Sequence, residues 1–197
     1  MNYLSFDEIK KRLSQFKVGI AGCGGLGSNC AVALARTGIG SLVLVDFDKV
    51  SEGNLNRQYF FTDQLGQKKT EALRYNLNKI NASCHIETHN LKIQANNVLS
   101  VFSGCDVIVE AFDAADQKKM FIETCMSQLA STPLVCGIGL AGYGSNNMLS
   151  TVQYDKNLYI CGDQTYEVFA NLPPLAPRVG IVANMQANQV LEILLKQ

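Results

Sequence analysis

The chain has 197 residues, of which 47% are apolar and 17% charged, and its 17 basic residues balance its 17 acidic ones. Such a composition is typical of a globular protein and excludes extended disorder. The neutral balance, with no basic run longer than residues 10–12, argues against nucleic acid or an anionic membrane as a primary partner.

The lack of a recognisable targeting signal and the pattern of cysteines predict a cytoplasmic protein. No stretch approaches the roughly 18 apolar residues of a membrane span, and residues 1–16 lack the apolar core of a signal peptide. The seven cysteines include no C-x-x-C pair, so we expect reduced thiols, most of them partly buried.

Strand-like and helix-like segments alternate along most of the chain. Apolar runs predict strands at 17–21, 41–45, 84–89, 106–109 and 134–138, and helical spacing predicts helices at 26–36, 95–102 and 117–129 and within 63–80. This alternation predicts an α/β fold, with a Rossmann-like, mostly parallel sheet and helices on both faces.

The C-terminal part has a different character. Residues 146–154 alternate like a half-exposed strand, residues 171–177 hold three of the four prolines, and residues 179–195 form an amphipathic helical pattern. We expect a partly antiparallel C-terminal extension. With no repeat or linker visible, residues 1–197 are predicted to form one domain, which begins with an N-terminal helical segment at 1–16.

A glycine-rich turn lies between the first predicted strand and the first long helix, and it reads Gly22-Cys23-Gly24-Gly25-Leu26-Gly27. Gly22 permits a tight turn, Gly24 and Gly25 allow close approach of backbone to phosphate, and Gly27 permits close helix–strand packing. The helix N-terminus offers free N–H groups to an anion. In this strand–turn–helix context the motif predicts a nucleotide site, the alternative being a purely structural turn.

Polar residues follow the second predicted strand. Asp46 is placed where a carboxylate accepts from ribose hydroxyls, which suits NAD as well as ATP, although a capping or loop aspartate is the alternative. Asn54, Arg57 and Gln58 follow in the next connection, beside the expected ligand, where a guanidinium fork suits polyphosphate. Taken singly, each of these three could belong to a solvated loop.

Two further charged residues are candidates. Lys69 opens the next predicted helix, where an exposed lysine is the common alternative and Lys68 is an adjacent decoy. Asp113 follows a buried strand at its carboxyl end, where a carboxylate beside a triphosphate would hold Mg²⁺. The alternative for Asp113 is a cap on the helix that follows.

Taken together, these motifs resemble the ThiF/MoeB adenylyltransferases, which are relatives of the ubiquitin-activating enzymes. The resemblance spans residues 17–195 and is strongest to a short ThiF. It rests on the glycine motif, Asp46-x-Asp48, Asn54-Leu55-x-Arg57-Gln58, Gly66-x-x-Lys69, Asp113 and the closing Pro177-Arg178-Val179-Gly180.

The resemblance implies a reaction and a partner. ATP and Mg²⁺ would activate the C-terminal glycine carboxylate of a ThiS-like ubiquitin-fold sulfur carrier, releasing pyrophosphate, in thiamine biosynthesis, and the enzyme would be a homodimer. Asp46 would bind ribose, Asn54, Arg57 and Lys69 would contact phosphates, and Asp113 would hold Mg²⁺. Arg57, Lys69 and Asp113 would be the catalytic residues, with Gln58 in the nucleotide site.

The chain departs from the family pattern at several points. It lacks the C-x-x-C pairs of a structural zinc, so no zinc is expected, and the usual Asp-Asn is Asp113-Ala114 here. No cysteine lies in residues 167–178, so we expect adenylation without a required enzyme thiol, Cys161 being the nearby candidate. Arg12 is the nearest counterpart of an arginine donated across a dimer.

Three other functions remain open at this point. A family member could activate another substrate, such as a tRNA base or a peptide carboxylate. The glycine motif and Asp46 would also serve an NAD-binding oxidoreductase, although nothing beyond Asp46 resembles a hydride-transfer site. The third possibility is a catalytically silent nucleotide-binding partner of another protein.

Overall fold

A computed structural model describes residues 4–163 and 171–196, which form a seven-stranded sheet with helices on both faces. The strands are β1 Lys17–Ala21, β2 Ser41–Val45, β3 His85–His89, β4 Val107–Glu110, β5 Leu134–Ile138, β6 Ser150–Asp155 and β7 Leu158–Gly162. The α-helices are α1 Phe6–Leu13, α2 Gly25–Thr37, α3 Lys69–Ile80, α4 Val98–Phe102, α5 Ala115–Gln128 and α6 Ala176–Leu195.

The strand order is β3-β2-β1-β4-β5-β7-β6, and all neighbours are parallel except β6 and β7. The chain first moves from β1 outward through β2 and β3, then returns to the centre and moves the other way from β4. The order therefore reverses between β1 and β4. Ligands of open α/β sheets bind in the crevice at such a switch point, outside the carboxyl ends of the strands.

Alternate strand residues face two separate apolar layers. Val18 and Ile20 of β1 join the layer of α2, α3 and α6, whereas Val43 and Val45 of β2 join the layer of α4 and α5. Burial on both faces explains why the central strands are continuously apolar instead of alternating. The predicted α/β fold class, with its mostly parallel sheet and partly antiparallel C-terminal extension, is confirmed.

Helix α1 lies at the amino end of the sheet, away from the crevice. Ser5 and Glu8 form a capping box at its start, and Leu13 O accepts the Gly40 N–H at 3.0 Å, just beyond the C-terminus of α2. The predicted N-terminal helical segment is thus seen as residues 6–13, while residues 1–3 lie outside the described part. In that part of the chain no helix combines the length and apolar character needed to cross a bilayer.

The C-terminal predictions need three corrections. Strand β7 was not predicted, because its two-residue turn, Lys156-Asn157, lacks the glycine that usually announces a hairpin. Residues 146–148 form a 3₁₀ turn, so β6 begins at 150 and not 146. Helix α6 begins at 176, three residues early, because Pro177 is tolerated in its first turn.

Candidate active site

The glycine-rich turn joins β1 to α2 at the switch point. Gly22 has φ +96°, and a Cβ atom there would lie 2.9 Å from Ala111 O, at the end of β4. A Cβ atom on Gly27 would lie 1.8 Å from Gly22 O. Both positions therefore require glycine, Gly22 for its backbone conformation and Gly27 for the tight packing of helix on turn.

The two middle glycines are bordered by residues from other elements. Gly24 is the N-cap of α2, with no side-chain hydrogen bond from the described residues, so this helix end offers its N–H groups to a ligand. A Cβ atom on Gly24 would lie 3.8 Å from Gln58 Nε2. On Gly25 it would lie 2.9 Å from Val179 Cγ1 and 3.6 Å from Arg57 Cγ. The turn is thus flanked by the crossover after β2 and by α6.

Asp46 connects the end of β2 to the glycine turn. Its Oδ2 accepts the Cys23 N–H at 2.7 Å, and its Oδ1 accepts the Asp48 N–H at 2.8 Å. Each carboxylate oxygen can accept a second hydrogen bond, so both remain able to receive a ribose hydroxyl. Asp46 therefore lies against the glycine turn, as its predicted role requires.

Lys69 is buried at the start of α3, with 5% of its surface exposed, whereas Lys68 is exposed. The Lys69 ammonium donates to Asp48 Oδ2 at 2.8 Å, and its backbone N–H donates to Asp48 O at 2.9 Å. Contacts through Asp48 and Asp46 thus connect this lysine to the glycine turn. The alternative of an ordinary exposed helix lysine is wrong for Lys69.

Asn54 lies in a short 3₁₀ helix, Glu52–Asn54, and its side-chain oxygen accepts the Ser51 N–H at 2.9 Å. Its backbone oxygen accepts the N–H groups of Arg57 and Gln58 at 3.2 and 2.9 Å. In the described structure, Asn54 shapes the turn that presents these two side chains, and its own side-chain contact is with Ser51.

Arg57 and Gln58 lie beside the glycine turn. The Arg57 guanidinium is half-buried and donates through Nη1 to Gly53 O at 3.1 Å and Asn56 Oδ1 at 2.8 Å. Gln58 is only 9% exposed, and its Oε1 has no hydrogen-bond partner among residues 4–163 and 171–196. A buried amide oxygen without a partner beside the glycine turn is suited to accept a hydrogen bond from a ligand.

Asp113 is exposed in the turn between β4 and α5. Helix α5 has Ala114 as its N-cap and no side-chain capping bond, so the capping alternative for Asp113 is wrong. The preceding residue, Phe112, lies 3.5 Å from the position of a Cβ atom on Gly22. The turn that carries Asp113 therefore adjoins the glycine turn across the switch point.

Two polar residues that the sequence reasoning missed attach the crossover to α2. Ser28 Oγ donates to Gly24 O at 2.6 Å and accepts the Tyr59 N–H at 2.9 Å. Asn29 Nδ2 donates to Arg57 O at 2.9 Å and to the carbonyl one turn earlier in α2 at 2.7 Å. Their polar character directly after the glycine motif, on an otherwise apolar helix, was the available signal.

The sequence model of the ThiF family matches residues 3–197. The chain belongs to the ThiF family. The resemblance on which the sequence interpretation rested is thereby confirmed.

Curated relatives of this ThiF-family chain are named as adenylyltransferases. It is 31% identical over 202 positions to the adenylyltransferase and sulfurtransferase MOCS3 of Caenorhabditis briggsae, an alignment covering 95% of this chain and 48% of that protein. It is 30% identical over 194 positions to the molybdopterin-synthase adenylyltransferase of Haemophilus influenzae, covering 95% of this chain and 78% of that protein. The chain thus spans about half the length of the first relative.

Solved structures agree with the fold of this ThiF-family chain. The AMP complex of TcdA, the tRNA N6-threonylcarbamoyladenosine dehydratase of E. coli, superposes with a TM-score of 0.85 at 21% identity. The superposition covers 96% of this chain and 90% of TcdA. The similarity shows that the two proteins share their fold.

A buried ion pair lies beneath the Asp113 turn. Glu110, with none of its side chain exposed, receives the Lys118 ammonium on Oε2 at 2.5 Å and the Phe112 N–H on Oε1 at 2.7 Å. Burial raises the pKa of Glu110, while Lys118 opposes that shift. No role was predicted for either residue, because no local pattern indicates that their side chains meet.

A second buried ion pair attaches α6 to the end of β7, and the same arginine also donates to the loop after β5. Arg178 donates to Asp163 Oδ2 at 2.5 Å, to Gly139 O at 3.0 Å and to Gly144 O at 2.7 Å. The next residue, Val179, contacts the glycine turn. Arg178 was noted only as part of the family's closing segment, and the structure shows that it fixes the start of α6 beside the site.

All seven cysteines of the ThiF-family chain are buried. Burial raises the pKa of Cys161, and a hydrogen bond from Thr151 opposes the shift. A buried, protonated thiol is a poor nucleophile. Within residues 4–163 and 171–196, no three or more His, Cys, Asp or Glu side chains are grouped so that they could hold a metal ion.

Proposed function

We propose that this chain is a single-domain adenylyltransferase that uses ATP and Mg²⁺ to activate the C-terminal glycine carboxylate of a ubiquitin-fold sulfur carrier. The observation that carries the proposal is the convergence of three charged residues, from the crossovers after β2 and β4, on one glycine turn. Arg57 runs along Gly25, Lys69 is connected to the turn through two aspartates, and the Asp113 turn adjoins Gly22. The adenylyltransferase names of the relatives support the same reaction.

The reaction brings the carrier carboxylate and the phosphates of ATP together, and their mutual repulsion explains why two cationic side chains are needed. A carboxylate oxygen of the carrier attacks the α-phosphorus of ATP, the bond to the bridging oxygen of the β-phosphate breaks, and pyrophosphate leaves. Arg57 and Lys69 would offset the repulsion between the reactants and the charge that grows on the leaving group. The N–H groups at the start of α2 would hold phosphate oxygens.

Nucleotide orientation would come from three further residues. Asp46 would accept from the ribose hydroxyls, and Gln58 would accept from the nucleotide through its unpartnered Oε1. Asn54 would contact phosphate with the part of its amide that Ser51 does not engage. Holding both reactants in one geometry supplies much of the rate enhancement in such reactions.

Asp113 fits the magnesium ion that the reaction needs. Its carboxylate is exposed at the carboxyl edge of the sheet, and no hydrogen bond from the described residues engages it. Mg²⁺ commonly binds through one or two protein carboxylates plus phosphate oxygens and waters, so a complete protein cage is not required. When bound there, the ion would neutralise charge on the polyphosphate.

The specific carrier that we propose is a ThiS-like protein of thiamine biosynthesis, because the motifs are most like those of a short ThiF. The names of the relatives also include molybdopterin synthesis and tRNA modification. Labelled pyrophosphate should exchange into ATP when a ThiS-like carrier is added. Exchange with another Gly-Gly-ended carrier, a peptide or tRNA, and none with the ThiS-like protein, would redirect the assignment to that substrate.

Asp113→Ala is the direct test of the adenylation mechanism. Without its metal-holding carboxylate the variant should lose nearly all carrier-dependent pyrophosphate exchange. Asp116→Ala is the matched control, because Asp116 is an exposed aspartate in the first turn of α5 and should leave exchange unchanged. Normal exchange in Asp113→Ala would reject the mechanism.

We also propose that the chain forms a homodimer. The position of Arg12 in the single chain limits how this residue could contribute to the reaction. Arg12 lies in α1 at the amino end of the sheet, whereas the glycine turn lies at the other end of α2, about 20 Å away for a 13-residue helix. Arg12 could therefore reach a glycine turn only in a second copy. Sedimentation would measure the dimer, and unchanged exchange in Arg12→Ala would remove this residue from the mechanism.

A further inference from the structure

The Glu110–Lys118 pair closes the turn that carries Asp113. Glu110 is the last residue of β4, and Lys118 lies in the first turns of α5, so one ion pair joins the entrance of the turn to its exit. The second oxygen of Glu110 accepts the Phe112 N–H, inside the turn, at 2.7 Å. Glu110 therefore holds the backbone amide of the residue directly before Asp113.

The Lys118 ammonium also fixes the turn to the sheet. The register between β4 and β5 ends at Glu110 opposite Cys136, and Lys118 Nζ donates to Gly137 O, the next residue of β5, at 2.8 Å. The lysine thus satisfies a carbonyl just beyond the end of the β4–β5 ladder, and so holds the start of α5 against β5.

The remaining contacts of Glu110 make alternative turn geometries costly. Cys136 lies opposite Glu110 in the β4–β5 register, and Gln186 donates to Glu110 O at 2.9 Å from the opposite face of the sheet. Phe112 packs edge-to-face on Phe121, with 5.3 Å between ring centroids. A fully buried carboxylate that loses its donors is strongly destabilised, so the pair favours one arrangement of the turn.

We propose that Glu110 and Lys118 are positioning residues that fix the turn from which Asp113 holds magnesium. The inference rests on the proposed function, since it uses Asp113 as the metal ligand. Neither residue touches the nucleotide in this scheme, and both act through the backbone of residues 111–113. Partners of metal ligands commonly change metal affinity roughly 10- to 100-fold when they are removed.

The test measures the affinity for ATP by calorimetry, once with Mg²⁺ and once with EDTA. The ratio of the two affinities is the Mg²⁺ gain of each variant. Lys118→Met should reduce this gain roughly tenfold or abolish it, while affinity in EDTA stays unchanged. Lys118→Arg, which keeps a cation at the same place, should retain most of the gain. A variant that is only less stable would lose affinity for ATP equally with Mg²⁺ and with EDTA.

Two controls keep the test independent of folding. Lys119→Met removes the neighbouring lysine, which makes only an exposed pair with Glu123, and should leave the Mg²⁺ gain unchanged. If Lys118→Met does not fold, Glu110→Gln combined with Lys118→Met removes both charges of the pair at once. That double variant should still lose the gain, and amide exchange at Phe112 should become faster.

The outcomes distinguish this inference from the proposed function. If Asp113→Ala lowers the Mg²⁺ gain but both Lys118→Met and the double variant keep it, the positioning role is wrong and the metal assignment stands. If Asp113→Ala itself keeps the gain, the metal assignment fails and the positioning role fails with it. A loss of gain in Asp113→Ala and Lys118→Met, with recovery in Lys118→Arg, supports both.

Discussion

Two adjacent lysines at the start of α3 have opposite environments. Lys69 is buried against Asp48, whereas Lys68 is the exposed N-cap residue of the same helix. The two side chains have the same charge and nearly the same position in the sequence. Only the direction in which the backbone presents them makes one lysine buried and the other exposed.

This contrast makes the lysine pair a matched test at the residue scale. Lys69→Ala should lower carrier-dependent pyrophosphate exchange by roughly 100-fold or more, which is the usual effect of losing one group that stabilises transition-state charge. Lys68→Ala should change exchange less than about twofold, because an exposed charge is screened by solvent and salt. Equal effects of the two substitutions would show that Lys69 acts only through overall charge.

At the scale of elements, the site depends on how the crossover after β2 is attached to α2. Ser28 and Asn29 accept and donate hydrogen bonds that join the first turn of the helix to residues 57 and 59. These residues carry no charge and are not predicted to touch the nucleotide. They hold the backbone of Arg57 next to the first turn of α2.

Asn29→Ala tests this attachment. The variant loses two side-chain hydrogen bonds, each worth about 1 kcal/mol, so its free energy of unfolding should fall by about 1–3 kcal/mol. Because Arg57 is then less well positioned, the KM for ATP should rise. Asn78→Ala is the control, since Asn78 is exposed on α3 and its removal should change neither quantity. An unchanged KM in Asn29→Ala would limit Asn29 to a structural role.

The sequence could predict residues that belong to local motifs, and it could not predict residues whose partners are distant in the chain. The glycine turn, Asp46 and the strand–helix alternation were predictable, because each is a local pattern with a definite spacing. The contacts of Asn29, Lys118 and Arg178 were not, since their partners lie 28, 8 and up to 39 residues away along the chain. Strand β7 was missed for a local reason, the absence of glycine from its turn.

At the scale of the whole molecule, both apolar layers contain cysteines. Cys30 and Cys161 belong to the layer of α2 and α6, and Cys125 and Cys136 belong to the layer of α5. Burial raises the pKa of all four thiols, and raises that of Cys125 to about 12. These thiols should therefore react quickly only when the fold opens. None of the four has the exposed position and lowered pKa of a catalytic cysteine.

Burial of the cysteines makes their rate of labelling a test of the fold. Since only the thiolate reacts, iodoacetamide at pH 8 should label the native protein slowly, with Cys84, whose pKa is raised to about 11, remaining protonated at that pH. Rates should rise as pH increases toward that value. In denaturant, where thiols ionise near their unperturbed pKa of about 8.5, all seven should react quickly.

The same chemistry bears on whether the reaction needs a thiol. Cys161→Ser should retain carrier-dependent pyrophosphate exchange, because adenylation requires only the carrier carboxylate and ATP. Mass spectrometry of the labelled native protein gives the site-by-site rates. Rapid labelling of Cys161 in the folded state, together with lost exchange in Cys161→Ser, would contradict the burial argument and make this cysteine part of the mechanism.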